Sequence, residues 1–464
     1  MVRKVGCVLR AKSNNHKEKA KEIQKMNYRP RLVLFLWAMA ALASATRAQD
    51  FYWNTAGSRS QALGGVYVAS SSDVLGALAA NPAGLTELRS RNLNLETDAV
   101  FARGSFSDSM NNDAPLQNSA GAVPYGAFGM PIGHSRFSFG VGMTPELLST
   151  ADWRYVDAPG TAGATYGLQE QKSAIWALRF STGVGVSLGS RVSVGATIGA
   201  DYNENTLHAP YIFQSQPVLA GLKTLLDLHT NGVGWNGSVG VLAKPTKKVE
   251  VGVAWKSRTV INSTGSASGD AYAQFAALGV AAPSNFTYAA RVQNVLPQSV
   301  LANVAWQVNP RWLVAFQADW VNWKEAFVTL PVTLTNGTNA VINSLVGGNS
   351  MQDGIPLQWK DQYGFHVGAE RKLTESTVLR FGYGHENNPV PSSTLTPLTA
   401  AVLTNAISTG FAYHHGRSRY EAFYTFRPES SAHVAQSSLL AGEYNNSSVS
   451  VGTQTVGLSY AFQF

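Results

Sequence analysis

Segments whose apolar side chains fall on every second position recur along most of this chain, and the links joining them alternate between very short and long. Such alternation, bounded by turn residues, predicts strands near 92–106, 121–131, 136–144, 171–187, 190–204, 230–243, 248–262, 286–308, 311–327, 361–372, 377–387, 404–414, 419–427 and 449–464. The short links are Gly133–Ser135, Gly189, Lys244–Lys247, Asn309–Pro310, Leu373–Ser376 and His415–Ser418. The links between them are mostly ~15 to 30 residues, and an even strand number with one tight end and one looped end is the layout of a bacterial membrane barrel. A soluble sandwich has no reason to alternate its connections in this way.

The faces of individual strands sort as a barrel wall requires, because successive side chains point to opposite sides. Trp312, Val314, Phe316, Ala318 and Trp320 share one face, opposite Leu313, Ala315, Gln317 and Asp319. Val249, Val251, Val253 and Trp255 oppose Glu250, Gly252, Ala254 and Lys256, and Tyr363, Phe365, Val367 and Ala369 oppose Gln362, Gly364, His366 and Glu370. Charges are confined to one face, as expected where a Lys or Arg facing mid-membrane lipid costs roughly 2–4 kcal/mol. The chain ends in the same way: Val456, Leu458, Tyr460, Phe462 and Phe464 alternate with Gly457, Ser459, Ala461 and Gln463. This strand is expected to close the barrel against the first, with Tyr460, Phe462 and Phe464 as closure and insertion signal.

The start of the chain reads as an export signal. Arg29 and Arg31 precede an apolar run from Leu32 to Ala45, then small residues and Ala48. The run is shorter than the roughly 20 residues of a spanning helix, so cleavage after Ala48 is expected, with Ala45 as the alternative. Residues 1–25 are polar and Lys-rich, and Met26 would give a leader of ordinary proportions. Residues 1–48 hold 11 of the 36 Lys and Arg and two of the 28 acids, leaving 25 bases against 26 acids beyond them. The basic pI therefore belongs to the leader, and nucleic-acid binding is excluded as a reading. The single cysteine, Cys7, also lies there, so neither disulfides nor a thiol nucleophile are expected beyond it. No segment beyond the leader is long and apolar enough for a spanning helix, which leaves a closed barrel as the membrane option.

Two places break the alternation. Residues 51–91 are rich in Ala, Gly and Ser, with Gly64-Gly65 and Asn81-Pro82-Ala83, and apolar positions such as Leu63, Val66, Tyr67, Val74, Leu75 and Leu78 that suit packing inside a barrel. The strand ending Gly140-Val141-Gly142-Met143-Thr144-Pro145 combines Gly and Pro, which can interrupt a ladder and open a wall sideways.

These residues together resemble the FadL family of outer-membrane transporters for long-chain fatty acids and other hydrophobic compounds, including TodX-type hydrocarbon channels. The resemblance runs from Ala62-Leu63-Gly64-Gly65 through Asp73 to Asn81-Pro82-Ala83-Gly84-Leu85, then Leu296-Pro297, Trp312, Asp319-Trp320 and Trp323. It continues through Trp359-Lys360-Asp361-Gln362-Tyr363, Gly368, Glu370, Leu379-Arg380-Phe381-Gly382-Tyr383 and Pro389-Val390-Pro391 to the aromatic terminus. It implies an all-β fold: a 14-stranded antiparallel transmembrane barrel (92–464) behind a leader (1–48), with an N-terminal hatch (49–91) in the lumen. It also implies hatch residues Gly64, Gly65, Asn81, Pro82 and Ala83, and a kink in the third strand that opens a lateral exit, with Gly140, Gly142 and Pro145 in the corresponding place. At the expected new N-terminus, Phe51, Tyr52 and Trp53 are candidates for substrate contact or for structural packing.

The expected role is uptake of hydrophobic compounds across the outer membrane, long-chain fatty acids first, by gradient-driven passage. The alternatives are an aromatic hydrocarbon channel of the same fold and a non-transport barrel such as an adhesin. The family's basic head-group residues have no counterpart on the strand from Arg191 to Asn205, which ends in Asp201, Glu204 and neutral polar residues. No catalytic residue, cofactor or metal site is expected. His414 and His415 are neighbours on a strand and point to opposite faces, and Lys244, Lys247 and Lys248 read as a solvated turn. Expected partners are hydrophobic small molecules, outer-membrane lipid and the barrel-insertion machinery, with the chain monomeric.

Overall fold

The computed structural model describes residues 54–117 and 120–464. The expected residues 1–53, including the leader and Phe51, Tyr52 and Trp53, lie outside the described residues.

Fourteen strands form one closed antiparallel wall. They are β1 Asn92–Ser107, β2 Ala120–Pro131, β3 Phe137–Val156, β4 Leu168–Ser187, β5 Val192–Ile212 and β6 Lys223–Thr246, followed by four strands each broken into two pieces. The broken strands are β7 (Val249–Lys256, Thr259–Asp270), β8 (Asn285–Leu296, Ser299–Asn309), β9 (Trp312–Val321, Thr329–Thr335) and β10 (Met351–Pro356, Gln362–Lys372). The wall ends with β11 Thr377–Glu386, β12 Asn405–His415, β13 Ser418–Val434 and β14 Ser447–Gln463. β14 pairs with β1 from Asn92↔Gln463 to Ser107↔Ser448, so the terminal strand closes the sheet and removes its edges. The alternation predicted from sequence is physical: Phe316 is 54% exposed and Trp235 69%, while Gln317, Asp319, Glu250 and Lys256 are buried.

The structure corrects several expected boundaries. Strand β3 does not end near Pro145 but runs to Val156, and β5, β6 and β13 also extend well past their predicted ends, so the long connections are shorter than expected. The predicted strand 311–327 stops at Val321, where Trp323–Ala326 forms a helical turn, and resumes at Thr329. Lys244 is not simply solvated: its Nζ reaches Glu87 at 2.5 Å and Glu250 at 3.7 Å.

The four breaks in β7–β10 fall at one level, because Lys256 faces Ser299, Ser299 faces Val321 and Val321 faces Gln362 across successive ladders. Trp323, Phe327 and Trp359 come from two of these breaks and pack as a triplet, with ring centroids 4.8–4.9 Å apart. Leu296-Pro297, Trp323 and Trp359–Tyr363, noted in the sequence as separate motifs, thus converge on one belt of the wall.

Residues 54–88 lie within the barrel, since they bond to lumen-facing groups all round it. Two short helices, α1 (Ser58–Ala62) and α2 (Val74–Ala79), and a 3-10 helix at Pro82–Glu87 give this segment its form. Asp73 caps α2 by accepting from Gly76 N at 2.9 Å, and burial pushes its carboxyl pKa up.

Candidate functional site

The hatch segment is seated on glycine strips in the wall. Asn81, fully buried, donates from Nδ2 to Val241 O at 3.0 Å and accepts from Ala83 N at 3.1 Å. Pro82 lies over Gly195 and Asn81 over Gly240, positions where a Cβ would meet them at 2.3 and 2.1 Å. The second seat is the Gly64-Gly65 turn, where both residues have positive φ, Gly64 rests on Gly382 and Gly65 faces the His366 ring. His366 Nδ1 lies 2.7 Å from Gly64 O, and Gln317 Nε2 donates to Gly65 O at 3.2 Å. Arg59 joins Glu370 at 3.1 Å, and Glu370 in turn accepts from Arg380 at 2.8 Å. Of the expected hatch residues, Gly64, Asn81, Pro82 and Ala83 lie against wall glycines and Gly65 against His366; Ala62 and Leu63, beside them, approach the wall at Gly410, Gly368 and Gly382 as well.

At the opposite end lies an apolar cavity of about 220 Å³. It is lined by aromatic residues such as Tyr211, Phe213, Phe275, Phe327 and Trp359, and by aliphatic ones from β6, β8 and β10. Lys223 is the one Lys or Arg among its described lining residues, and it is fully buried. Its Nζ is held by Asp157 Oδ1 at 2.5 Å, Glu443 Oε1 at 2.9 Å and the Ala158 carbonyl. An ammonium has three protons, and all three are engaged. Burial, the larger effect, and the nearby Asp157 carboxylate raise the Glu443 pKa to about 7 against the opposing pull of Lys223.

Between cavity and hatch the lumen is filled by paired polar side chains. Asn205, which lines the cavity, donates to Asn203 and Thr230, and Asn294 donates to both Asn203 and Asn205 at 2.8 Å. Deeper, Arg179 bonds Asn236, Thr197 and Leu78 O of the hatch, while Asp201 accepts from Asn236 and Thr259. Glu146 and Lys256 form a buried ion pair at 2.6 Å in the same layer.

The wall itself has a window. The β2–β3 ladder comprises only the pairs from Gly126↔Met143 to Pro131↔Ser138. Beyond them β2 continues pairing with β1, and β3 with β4, but among the described residues not with each other. At the top the window is closed by a bridge from Leu116 to Trp153 and by Gln117 N donating to Asp152 O at 2.7 Å. Each edge carries a proline, Pro124 and Pro145, which cannot donate to a ladder. Hatch residues Val74, Leu75 and Leu78 pack behind it with Val123, Tyr125 and Leu148.

The sequence placed the window one step too low. Gly140 and Gly142 pair normally with Gly129 and Ala127, and Gly140 instead leaves room for Leu85 and Leu78 of the hatch. Only Pro145 lies in the window, where β3 bulges against β4 between Pro145 and Leu147. Glu146 and Pro124 were not singled out from sequence. A proline inside an alternating run such as Val123-Pro124-Tyr125 was the available signal, because it marks an edge.

Comparison with known proteins agrees with this architecture. The family model described as outer membrane protein transport protein (OMPP1/FadL/TodX) matches residues 34–464. Among solved structures, the Pseudomonas putida toluene transporter TodX superposes with a TM-score of 0.69 at 19% identity, covering 90% of this chain and 100% of that one. The Ralstonia pickettii toluene transporter TbuX gives 0.68 at 18% identity over 89% and 99% of the two chains. A Pseudomonas aeruginosa FadL homologue gives 0.69 at 16% over 90% and 100%. No curated protein sequence matches the chain.

Proposed function

Because the chain belongs to the FadL/TodX family of outer-membrane transport proteins and is an integral outer-membrane barrel of a Gram-negative bacterium, we propose that it carries neutral hydrophobic molecules from its apolar cavity sideways through the window between β2 and β3. One observation carries this reading: Leu147 and Ser149, on the window edge of β3, also line the cavity. Cavity and window therefore share a wall.

Energetics favour the sideways route. An apolar solute moving straight down would have to part the buried amide and ion layer, and each buried polar group left unpaired costs about 1–3 kcal/mol. Moving sideways, it stays against Leu147, Leu148 and the hatch leucines. It thereby avoids exposure to water at about 0.8 kcal/mol per CH₂. The hatch then serves as plug and as inner lining of the exit, and flow follows the concentration gradient.

The neutral substrate is supported by the state of Lys223, whose three protons are already taken by protein oxygens. A fatty-acid carboxylate entering the cavity would displace Asp157 or Glu443 or lie unpaired. Liposome uptake of labelled toluene and oleate tests this reading. Toluene is expected to cross well above empty liposomes and oleate to gain far less; oleate entering as readily as toluene would remove the neutral-substrate reading. No gain for either solute would leave a non-transport barrel.

A further inference from the structure

Upper β3 leaves β2 at Met143 although both strands continue, so something must hold it away. Leu147, Trp153 and Tyr155 pack into the large apolar cluster, and Trp153 Nε1 donates to Pro397 O at 3.0 Å, which anchors the upper end of the departing segment. The lower end is anchored by charge. The bulge between Pro145 and Leu147 leaves Glu146 without an opposite residue on β4, and a bulge re-aims the side chain it carries. Here it swings the Glu146 carboxylate into the lumen, where Oε1 meets Lys256 Nζ at 2.6 Å with both side chains less than a tenth exposed. Lys256 ends the first piece of β7, at the belt where the wall breaks. The contact therefore joins the third wall strand directly to the seventh, across the inner faces of β4, β5 and β6.

We infer that the Glu146–Lys256 ion pair is a positioning tie that draws upper β3 into the lumen and sets the width of the window. This inference rests on the window's being the exit proposed above. The pair is poorly explained as generic filling. Two buried charges carry a desolvation cost that matched apolar side chains would avoid, and a direct pair between separated strands constrains their distance in a way that packing within one sheet does not. The bulge places the anchor at the first turn of the window, where a small inward pull separates the two edges most.

The test uses the full-length chain with Cys7→Ser and a reporter pair, Gly121→Cys and Leu148→Cys, which continuation of the Gly126↔Met143 register would set opposite each other. In this background Glu146→Gln with Lys256→Met removes the tie, and the charge-reversed Glu146→Lys, Lys256→Glu retains it. Without the tie, disulfide formation between the reporters is expected at least tenfold faster, and toluene uptake, measured on barrels that carry the tie substitutions but keep Gly121 and Leu148, at least tenfold slower. Charge reversal is expected to restore both toward the parent. If the double variant does not give a heat-modifiable folded band, Glu146→Gln alone carries the same comparison. Unchanged cross-linking and uptake in a folded variant of a transporting parent overturn the tie. Faster cross-linking in a variant whose parent carries no toluene sustains the tie and removes the channel reading instead.

Discussion

At the residue scale, the closest approaches between hatch and wall are set by missing side chains. Gly382 is the sharpest case, because a Cβ there would lie 2.0 Å from Gly64 N and 2.1 Å from Leu63 C. Those atoms are backbone and cannot rotate aside. Gly382→Ala is therefore expected to lift the Leu63–Gly65 turn and break its bonds to His366 and Gln317, each worth roughly 0.5–1.5 kcal/mol. The strand itself tolerates alanine, so the wall should still close. Planar-bilayer recordings are expected to show added open current over the parent, with the folded band on unheated gels retained. A variant as quiet as the parent would show that the seat at Gly64 does not hold the plug.

At the scale of elements, the connections at the cavity end are held by a charge cluster whose balance depends on pH. Lys223 at the start of β6 faces two carboxyls, Asp157 from the β3–β4 connection and Glu443 from the β13–β14 connection. The Glu443 pKa of about 7 in the folded chain lies above its ordinary value of about 4.3. The folded state thus binds this proton more tightly, so its contribution to stability is complete below about pH 4 and is lost as pH rises through 7. Amide exchange across residues 435–446, corrected for its intrinsic pH dependence, is expected to become faster between pH 5 and 8, and Glu443→Gln is expected to flatten that trend. A native loop whose protection does not change with pH would remove Glu443 as the cause.

The same scale shows which features could be read from the sequence. Wall strands were legible where the two environments differ, as in Trp312–Trp320, because lipid and lumen select opposite side chains at every step. Beyond the membrane that contrast ends, and pieces such as Thr329–Thr335 and Met351–Pro356 keep pairing without a strong alternating signature. The hatch was legible from its lack of alternation and its resemblance to known hatches. The ion pair between Glu146 and Lys256 was not, because its partners lie far apart in the chain and meet only through a bulge. Lys256 was correctly assigned to the inner face, but sequence alone names no partner across a lumen.

At the scale of the whole molecule, one strand both ends the chain and completes the fold. β14 pairs with β1 along its length, and its last residue continues the contact, with Phe464 N donating to Arg91 O at 3.0 Å. The Phe464 ring stacks edge-on against Phe462 at 4.9 Å and stands 6.4 Å from Phe128 of β2, so it sits at the seam where first and last strands meet. It is 56% exposed and is not among the residues that line the cavity. Deleting it removes one hydrogen bond and an aromatic contact worth roughly 0.5–1.5 kcal/mol, which is small against a closed barrel once formed. An unclosed sheet, however, has two exposed edges in a medium that cannot hydrogen-bond them. The loss should therefore be felt during closure rather than afterwards. Deletion of Phe464 is expected to lower the amount of heat-modifiable barrel recovered from outer membranes severalfold, while toluene uptake per folded barrel stays at the parent level. Equal recovery with reduced uptake per barrel would instead place this residue in the path itself.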